Sequence, residues 1–257
     1  MIRKILEFAQ FSQSQFEPIK SFYLQDILNP EIWTDFEIEE ELREDLLTIA
    51  KDYLDTVSLE GIEIKDIILT GSLTNYNWSK YSDFDLHIIV DFNEINDNYE
   101  LVERMFDFSK KNWNSQHEII IKGYDVEIAA QDIKDMEEAM SSGRMGGIFS
   151  LMNNKWIKKP SKSNFVPDEE KIREKSSTFM HEIKEIEAEL ENNRADLEEI
   201  GQRISKVWKK IKDGRKAGLE KEGEYSLENL VFKLLRRNGY IQRIIDVKRK
   251  SYDKRYK

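Results

Sequence analysis

Between Glu39 and Ser58 the apolar residues Leu42, Leu46, Leu47, Ile49, Ala50, Tyr53 and Leu54 share one helical face. With acidic residues in the first turn, this predicts an amphipathic helix. Lys65–Ser72, KDIILTGS, is a short apolar run that ends in Gly-Ser, the pattern of a strand entering a turn. Asp83–Val90, DFDLHIIV, reads as a second strand, and Glu100–Trp113 has helical spacing. His117–Asp132 reads as one or two strands with Gly123 as a break or bulge. Strands and helices thus alternate, which predicts an α/β or α+β sheet. Residues 158–170 carry two of the four prolines and no periodicity, so they mark a linker or boundary. Beyond them the pattern is helical throughout. Phe179, Ile183, Ile186 and Leu190 form one stripe, and Leu197, Ile200, Ile204, Trp208 and Ile211 form another. Two antiparallel helices joined near Asn192–Asn193 would account for both. A last helix, N-capped by Ser226, would carry Leu230, Val231, Leu234, Leu235, Ile241 and Ile244. The expected organisation is two domains, 1–160 with the sheet and 161–257 helical.

Composition narrows the class. Of the 257 residues 39% are hydrophobic and 35% charged, enough apolar surface for a core. There is no cysteine, so disulfides and thiolate metal sites are excluded. The first twenty residues hold no run suited to a signal peptide, and nothing approaches the roughly 18 apolar residues of a membrane span. These features predict a cytoplasmic protein without a membrane partner. The net charge of −10 conceals an asymmetry, because Ser205 to the end holds 17 Lys/Arg against 7 Asp/Glu. A basic tail beside an acidic body suits a site for both metals and phosphates, although solvated charged helices would give the same pattern.

In a strand, alternate side chains share a face. Asp83, Asp85 and His87 therefore point one way and Phe84, Leu86, Ile88 and Val90 the other. The two carboxylates stand about 6–7 Å apart along the strand. Like charges so close destabilise a fold unless something neutralises them. A divalent cation does so, and hard cations such as Mg²⁺ bring phosphates with them. Gly71 allows close backbone approach to a ligand, and Ser72, opening a helix after a strand, would offer N–H groups and a hydroxyl to a phosphate.

Taken together, I-I-L-T-G-S, the spacer L-T-N-Y-N-W-S-K-Y-S and D-F-D-L-H-I-I-V resemble the signature of the polymerase-β-like nucleotidyltransferase superfamily. The segments GGIFSLMNNKW and EYSLENLVFKLLRRNGY are similar to parts of nucleotidyltransferase-like proteins encoded by tailed phages. The resemblance implies an α+β fold: a small mixed sheet flanked by helices, followed by an α-helical C-terminal domain. It implies Mg²⁺-dependent (or Mn²⁺-dependent) transfer of a nucleoside monophosphate from an NTP to an acceptor hydroxyl, with release of pyrophosphate. Two ions would be held by Asp83, Asp85 and a third carboxylate, with Asp85 bridging. GYDVEIAAQD offers Asp125 and Glu127 on one face for that third position. Glu127 lies deeper in the apolar run, and Asp125 lies nearer Gly123.

Further candidates carry less weight. His87 shares the carboxylate face, where a hydrogen-bonded neighbour is the plainer reading. Tyr76 and Trp78 would stack on a base or pack beneath the turn. With Gly71 and Ser72, the cations Lys155, Lys233, Arg236 and Arg237 are candidates for holding the nucleotide's phosphates. The acceptor would be an RNA 3′ end such as that of a tRNA, a protein hydroxyl, a second nucleotide or a small molecule. The spacer lacks the glycine-threonine spacing typical of cyclic-dinucleotide synthases. The competing class is a non-catalytic module that binds a nucleotide or nucleic acid on the same fold. A metal-dependent hydrolase on another fold would need His or Asp clusters that the chain does not show.

Overall fold

A computed structural model describes residues 13–57, 61–142, 146–192 and 196–256. Three points of the sequence reading, the leader-free start over residues 1–12 and the boundaries at Ser58 and Asn193, lie outside the described residues. The described chain forms two compact units. One spans Leu24–Asn164, and the other joins Phe165 onward to the segment that ends at Tyr23.

The first unit is built on a six-stranded sheet. Its strands are β3 (Asp66–Thr70), β4 (Asp83–Val90), β5 (Ile120–Ile121), β6 (Tyr124–Asp132), β7 (Ile148–Ser150) and β8 (Lys155–Lys158), in the order β5-β6-β4-β3-β7-β8. Two short strands, β1 (Trp33–Thr34) and β2 (Glu37–Ile38), pair separately. Only β4 and β6 run parallel. A parallel pair needs a crossover, and the helices α2 (Phe92–Ile95) and α3 (Tyr99–Gln116) supply it. The remaining helices of this unit are α1 (Glu40–Val57) and α4 (Ile133–Ser141). Mixed sheet, flanking helices and a helical C-terminal region make the α+β architecture expected from the sequence, and it is compatible with a nucleotidyltransferase-like fold.

The alternation read in β4 decides how the sheet is covered. Phe84, Leu86 and Ile88 are fully buried in one core with Leu42, Leu46 and Tyr53 of α1 and Val102, Phe106 and Trp113 of α3. Burying each such side chain contributes about 1.5–3 kcal/mol. The opposite face is covered at one end only. There Ile68 and Ile89 pack with Met136 of α4 and Ile148. The other end of that face, with Asp83 and Asp85, stays half-buried.

The second unit consists of α5 (Glu169–Leu190), α6 (Leu197–Glu222), α7 (Leu227–Arg237) and α8 (Tyr240–Asp253). The predicted stripes on α5 and α6 are its core, among them Ile183, Ile186, Ile204 and Ile211. Three details differ from expectation. The chain's start, grouped on sequence with the sheet, contributes Phe16, Ile19 and Phe22 of Gln13–Phe22 to this helical core. The single last helix is two, because Gly239 takes a left-handed conformation with φ 75° and Asn238 turns its amide back onto the Leu234 carbonyl at 2.9 Å. Ser226 occupies the N-cap position of α7, but its buried hydroxyl makes no cap bond. No described helix is long and apolar enough to cross a membrane.

Asp132, fully buried, ties the far ends of the parallel pair together. Its Oδ2 accepts the Phe92 N–H and its Oδ1 the Lys134 N–H, each at 2.8 Å, so one carboxylate satisfies the starts of α2 and α4. Asp132→Ala is expected to destabilise the protein by on the order of 2–3 kcal/mol, and Asp132→Asn, which keeps one acceptor, by less. Urea unfolding of the three proteins checks the order.

Candidate active site

The parallel register sets Asp83 beside Asp125, Asp85 beside Glu127 and His87 beside Ala129. On the other side of β4, Thr70 pairs with Asp85, so β3 ends and Gly71 begins next to that carboxylate. Of the four acids, Asp83, Asp85 and Glu127 each offer an oxygen within 4.8 Å of the other two. Asp125, the alternative third acid, does not belong to that group. Oxygens bound to one cation at 2.0–2.6 Å stand at most roughly 4–5 Å apart, so the three carboxylates fit a shared Mg²⁺, Mn²⁺ or Ca²⁺.

Gly71 is the residue this geometry demands. Its φ is 79°, and a Cβ there would lie 1.8 Å from Asp85 Oδ2. Only glycine combines that backbone with that contact. The turn after it is shorter than expected. Ser72 opens one 3₁₀ turn, Ser72–Thr74, and not a helix. Its hydroxyl donates to Ser82 Oγ at 2.8 Å, and Ser82 Oγ accepts the Ser79 N–H at 3.0 Å. The two serines thereby close the spacer loop immediately before Asp83.

Three residues that the sequence reading passed over hold the turn. Asn75 Nδ2 donates to the Gly71 carbonyl at 2.6 Å, and Asn75 Oδ1 accepts the Gly147 N–H at 2.8 Å. The Thr74 hydroxyl lies 2.9 Å from the Gly71 carbonyl and 2.8 Å from that of Gly147. A Cβ on Gly147 would meet the Thr74 carbonyl at 2.2 Å. The Gly-Gly pair before β7 was a visible sign of this close approach. Trp33 Nε1 adds a 2.8 Å hydrogen bond to the Leu73 carbonyl.

The other candidates fall as follows. His87 Nδ1 lies 2.6 Å from Gln131 Oε1, so that nitrogen carries the proton and donates. Burial pushes the imidazole below its usual range, against the Gln131 hydrogen bond, and leaves it neutral at pH 7. Tyr76 and Trp78 pack against the sheet core, and Trp78 Nε1 donates to the Ile27 carbonyl at 2.9 Å, so packing beneath the turn accounts for both. Lys155 opens β8 and is exposed. It stands three strands from β4, roughly 14 Å at ordinary strand spacing, and is not brought to the carboxylates. Lys233, Arg236 and Arg237 lie on α7, in the helical unit.

No protein-family model and no curated protein matches the chain. Among solved structures it is similar to a STING-associated CdnE c-di-GMP synthase from Capnocytophaga granulosa, at 12% identity over 84% of each chain and a TM-score of 0.23. A likeness at that score carries no argument about activity, and nothing in the comparisons supports the likeness to phage proteins.

Gly71→Ala is expected to displace the Asp85 carboxylate and force a disfavoured φ. The stabilisation that Mg²⁺ or Mn²⁺ confers on the wild type in thermal melts should then weaken at least tenfold in apparent affinity. An unchanged metal response would show that the close Gly71–Asp85 approach does not govern the site.

Proposed function

We propose that the chain is a metal-dependent nucleotidyltransferase that moves a nucleoside monophosphate from an NTP to an acceptor hydroxyl. The observation that carries this reading is the convergence of Asp83, Asp85 and Glu127 within 4.8 Å, at the half-covered end of the sheet and beside a glycine turn. The three carboxylates would hold Mg²⁺ or Mn²⁺. When bound, such a cation neutralises phosphate charge and lowers the pKa of a hydroxyl. Gly71, lacking a side chain, lets the Asp85 carboxylate lie against the turn. The Ser72–Ser82 bond keeps the spacer loop closed, and Thr74 and Asn75 keep the turn at a fixed height over β7. The chain's task is positioning. The acceptor oxygen forms a bond to the α-phosphorus and loses its proton to solvent. The bond from the α-phosphorus to the oxygen bridging to the β-phosphorus breaks, and pyrophosphate leaves. RNA 3′ ends remain among the acceptors, along with protein and small-molecule hydroxyls, and the basic C-terminal segment favours RNA.

The test is incubation with each α-labelled NTP, Mg²⁺ or Mn²⁺, total RNA and lysate protein. Label should enter one acceptor class and pyrophosphate should form. Chelation by EDTA should abolish the transfer. Asp85→Asn should lower it by about 10²–10³-fold or more. Because that substitution removes one of three crowded like charges, its metal-free melting temperature should equal or exceed the wild type's. Metal-dependent nucleotide binding without transfer to any acceptor would overturn the reading in favour of a non-catalytic nucleotide-binding module.

A further inference from the structure

The helix α3 buries one face and leaves the other bare. Val102, Phe106 and Trp113 go into the core of the sheet unit. Asn114 fastens the same helix to β6. Its Nδ2 donates to the Ile128 carbonyl at 3.2 Å, and its Oδ1 accepts the Ile128 N–H at 3.3 Å. The helix is thereby fixed in orientation, and its 3.6-residue turn sets what it presents outward.

Outward it presents two large apolar side chains. Leu101 is 56% exposed and Phe108 73% exposed. Seven residues apart, they lie on one face roughly 10 Å from each other, with the half-buried Met105 between them. A single exposed apolar residue is ordinary, but an apolar stripe along a fixed helix has the form of a helix–helix contact. Along one flank of this stripe run Glu100, Arg104, Asp107 and Lys111, in the order acid, base, acid, base. Glu100 and Arg104 are each 80% exposed and approach to 3.8 Å. The side chains of Asp107 and Lys111 make no hydrogen bond or ion pair with any described residue.

This order of charges complements itself in one orientation. A second copy of α3 laid antiparallel, with a two-fold axis near Met105, sets Glu100 against the second copy's Lys111 and Arg104 against the second copy's Asp107. Leu101 and the second copy's Phe108 then come within packing reach, and symmetry repeats every contact. Laid parallel, each charge would face its own like, which disfavours that pairing. From this pattern we infer that the outer face of α3 is a homodimer interface, an antiparallel pair of these helices from two copies of the chain. One helix per copy is a small contact, so the dimer is a reversible one of micromolar strength and not an obligate pair. The inference does not depend on the proposed transferase activity, because it uses neither the carboxylates nor the glycine turn.

The experiment measures the dimer dissociation constant of the full chain by sedimentation equilibrium. The wild type should dimerise. Phe108→Ser should weaken the dimer at least tenfold and leave the melting temperature of the dilute protein unchanged, because the ring is mostly exposed. Glu100→Lys and Lys111→Glu should each weaken it about fivefold, since symmetry counts every pair twice, and combining them should restore most of the affinity. The chain has no cysteine, so an introduced one reports proximity. Met105→Cys, near the axis, should cross-link two copies on mild oxidation. Ser115→Cys, roughly 28 Å from its counterpart in the antiparallel pair, should not. A chain that stays monomeric at millimolar concentration would overturn the inference and leave the face to a different protein. So would a dimer indifferent to Phe108→Ser, no rescue by the combined charge reversal, or equal cross-linking through Ser115→Cys.

Discussion

The structure of the sheet unit turns on one electrostatic constraint. Three carboxylates reach within 4.8 Å of one another at one end of the sheet. Repulsion at that distance would be relieved by a cation, and the surrounding structure keeps the acids together rather than letting them part. The parallel register of β4 and β6 fixes Asp85 opposite Glu127, and Asp132 pins the other end of the same two strands. Gly71 closes the third side, where a methyl group would already collide with Asp85. The carboxylate-bearing face of β4 runs from the half-buried acids Asp83 and Asp85, through the hydrogen-bonded His87, to the buried Ile89 beside Met136 of α4. One strand thus carries both the site and the packing that holds it.

Much of this was legible in the sequence, where periodicity and burial coincide. The strand Asp83–Val90 has the predicted limits, and the helix predicted from Glu39 appears as Glu40–Val57. Strong apolar alternation leaves a chain few ways to bury itself, so such segments read reliably. The acid pair was legible for the complementary reason, that charges interrupting a buried pattern need a cause. The choice between Asp125 and Glu127 was not, because both lie on the same strand face. The register sets each beside an acid of β4, and it is the side-chain oxygen of Glu127 that falls within 4.8 Å of both Asp83 and Asp85.

What escaped the sequence was set by single contacts or short elements. The strands β7 and β8 have three and four residues, too few to show a period. The turn after Gly71 stops at Thr74, where the side chains of Thr74 and Asn75 bind backbone carbonyls and so compete with helix propagation. The break between α7 and α8 rests on the left-handed conformation of Gly239, which an apolar stripe running through it conceals.

The measurement that tests the central claim most directly is Mn²⁺ binding followed by electron paramagnetic resonance in the wild type, Glu127→Gln and Asp125→Asn. The carboxylate geometry predicts that the wild type binds Mn²⁺, that Glu127→Gln weakens binding at least tenfold and that Asp125→Asn leaves it unchanged. No binding by the wild type, or loss in Asp125→Asn with none in Glu127→Gln, would contradict the assignment of Asp83, Asp85 and Glu127 as a metal centre.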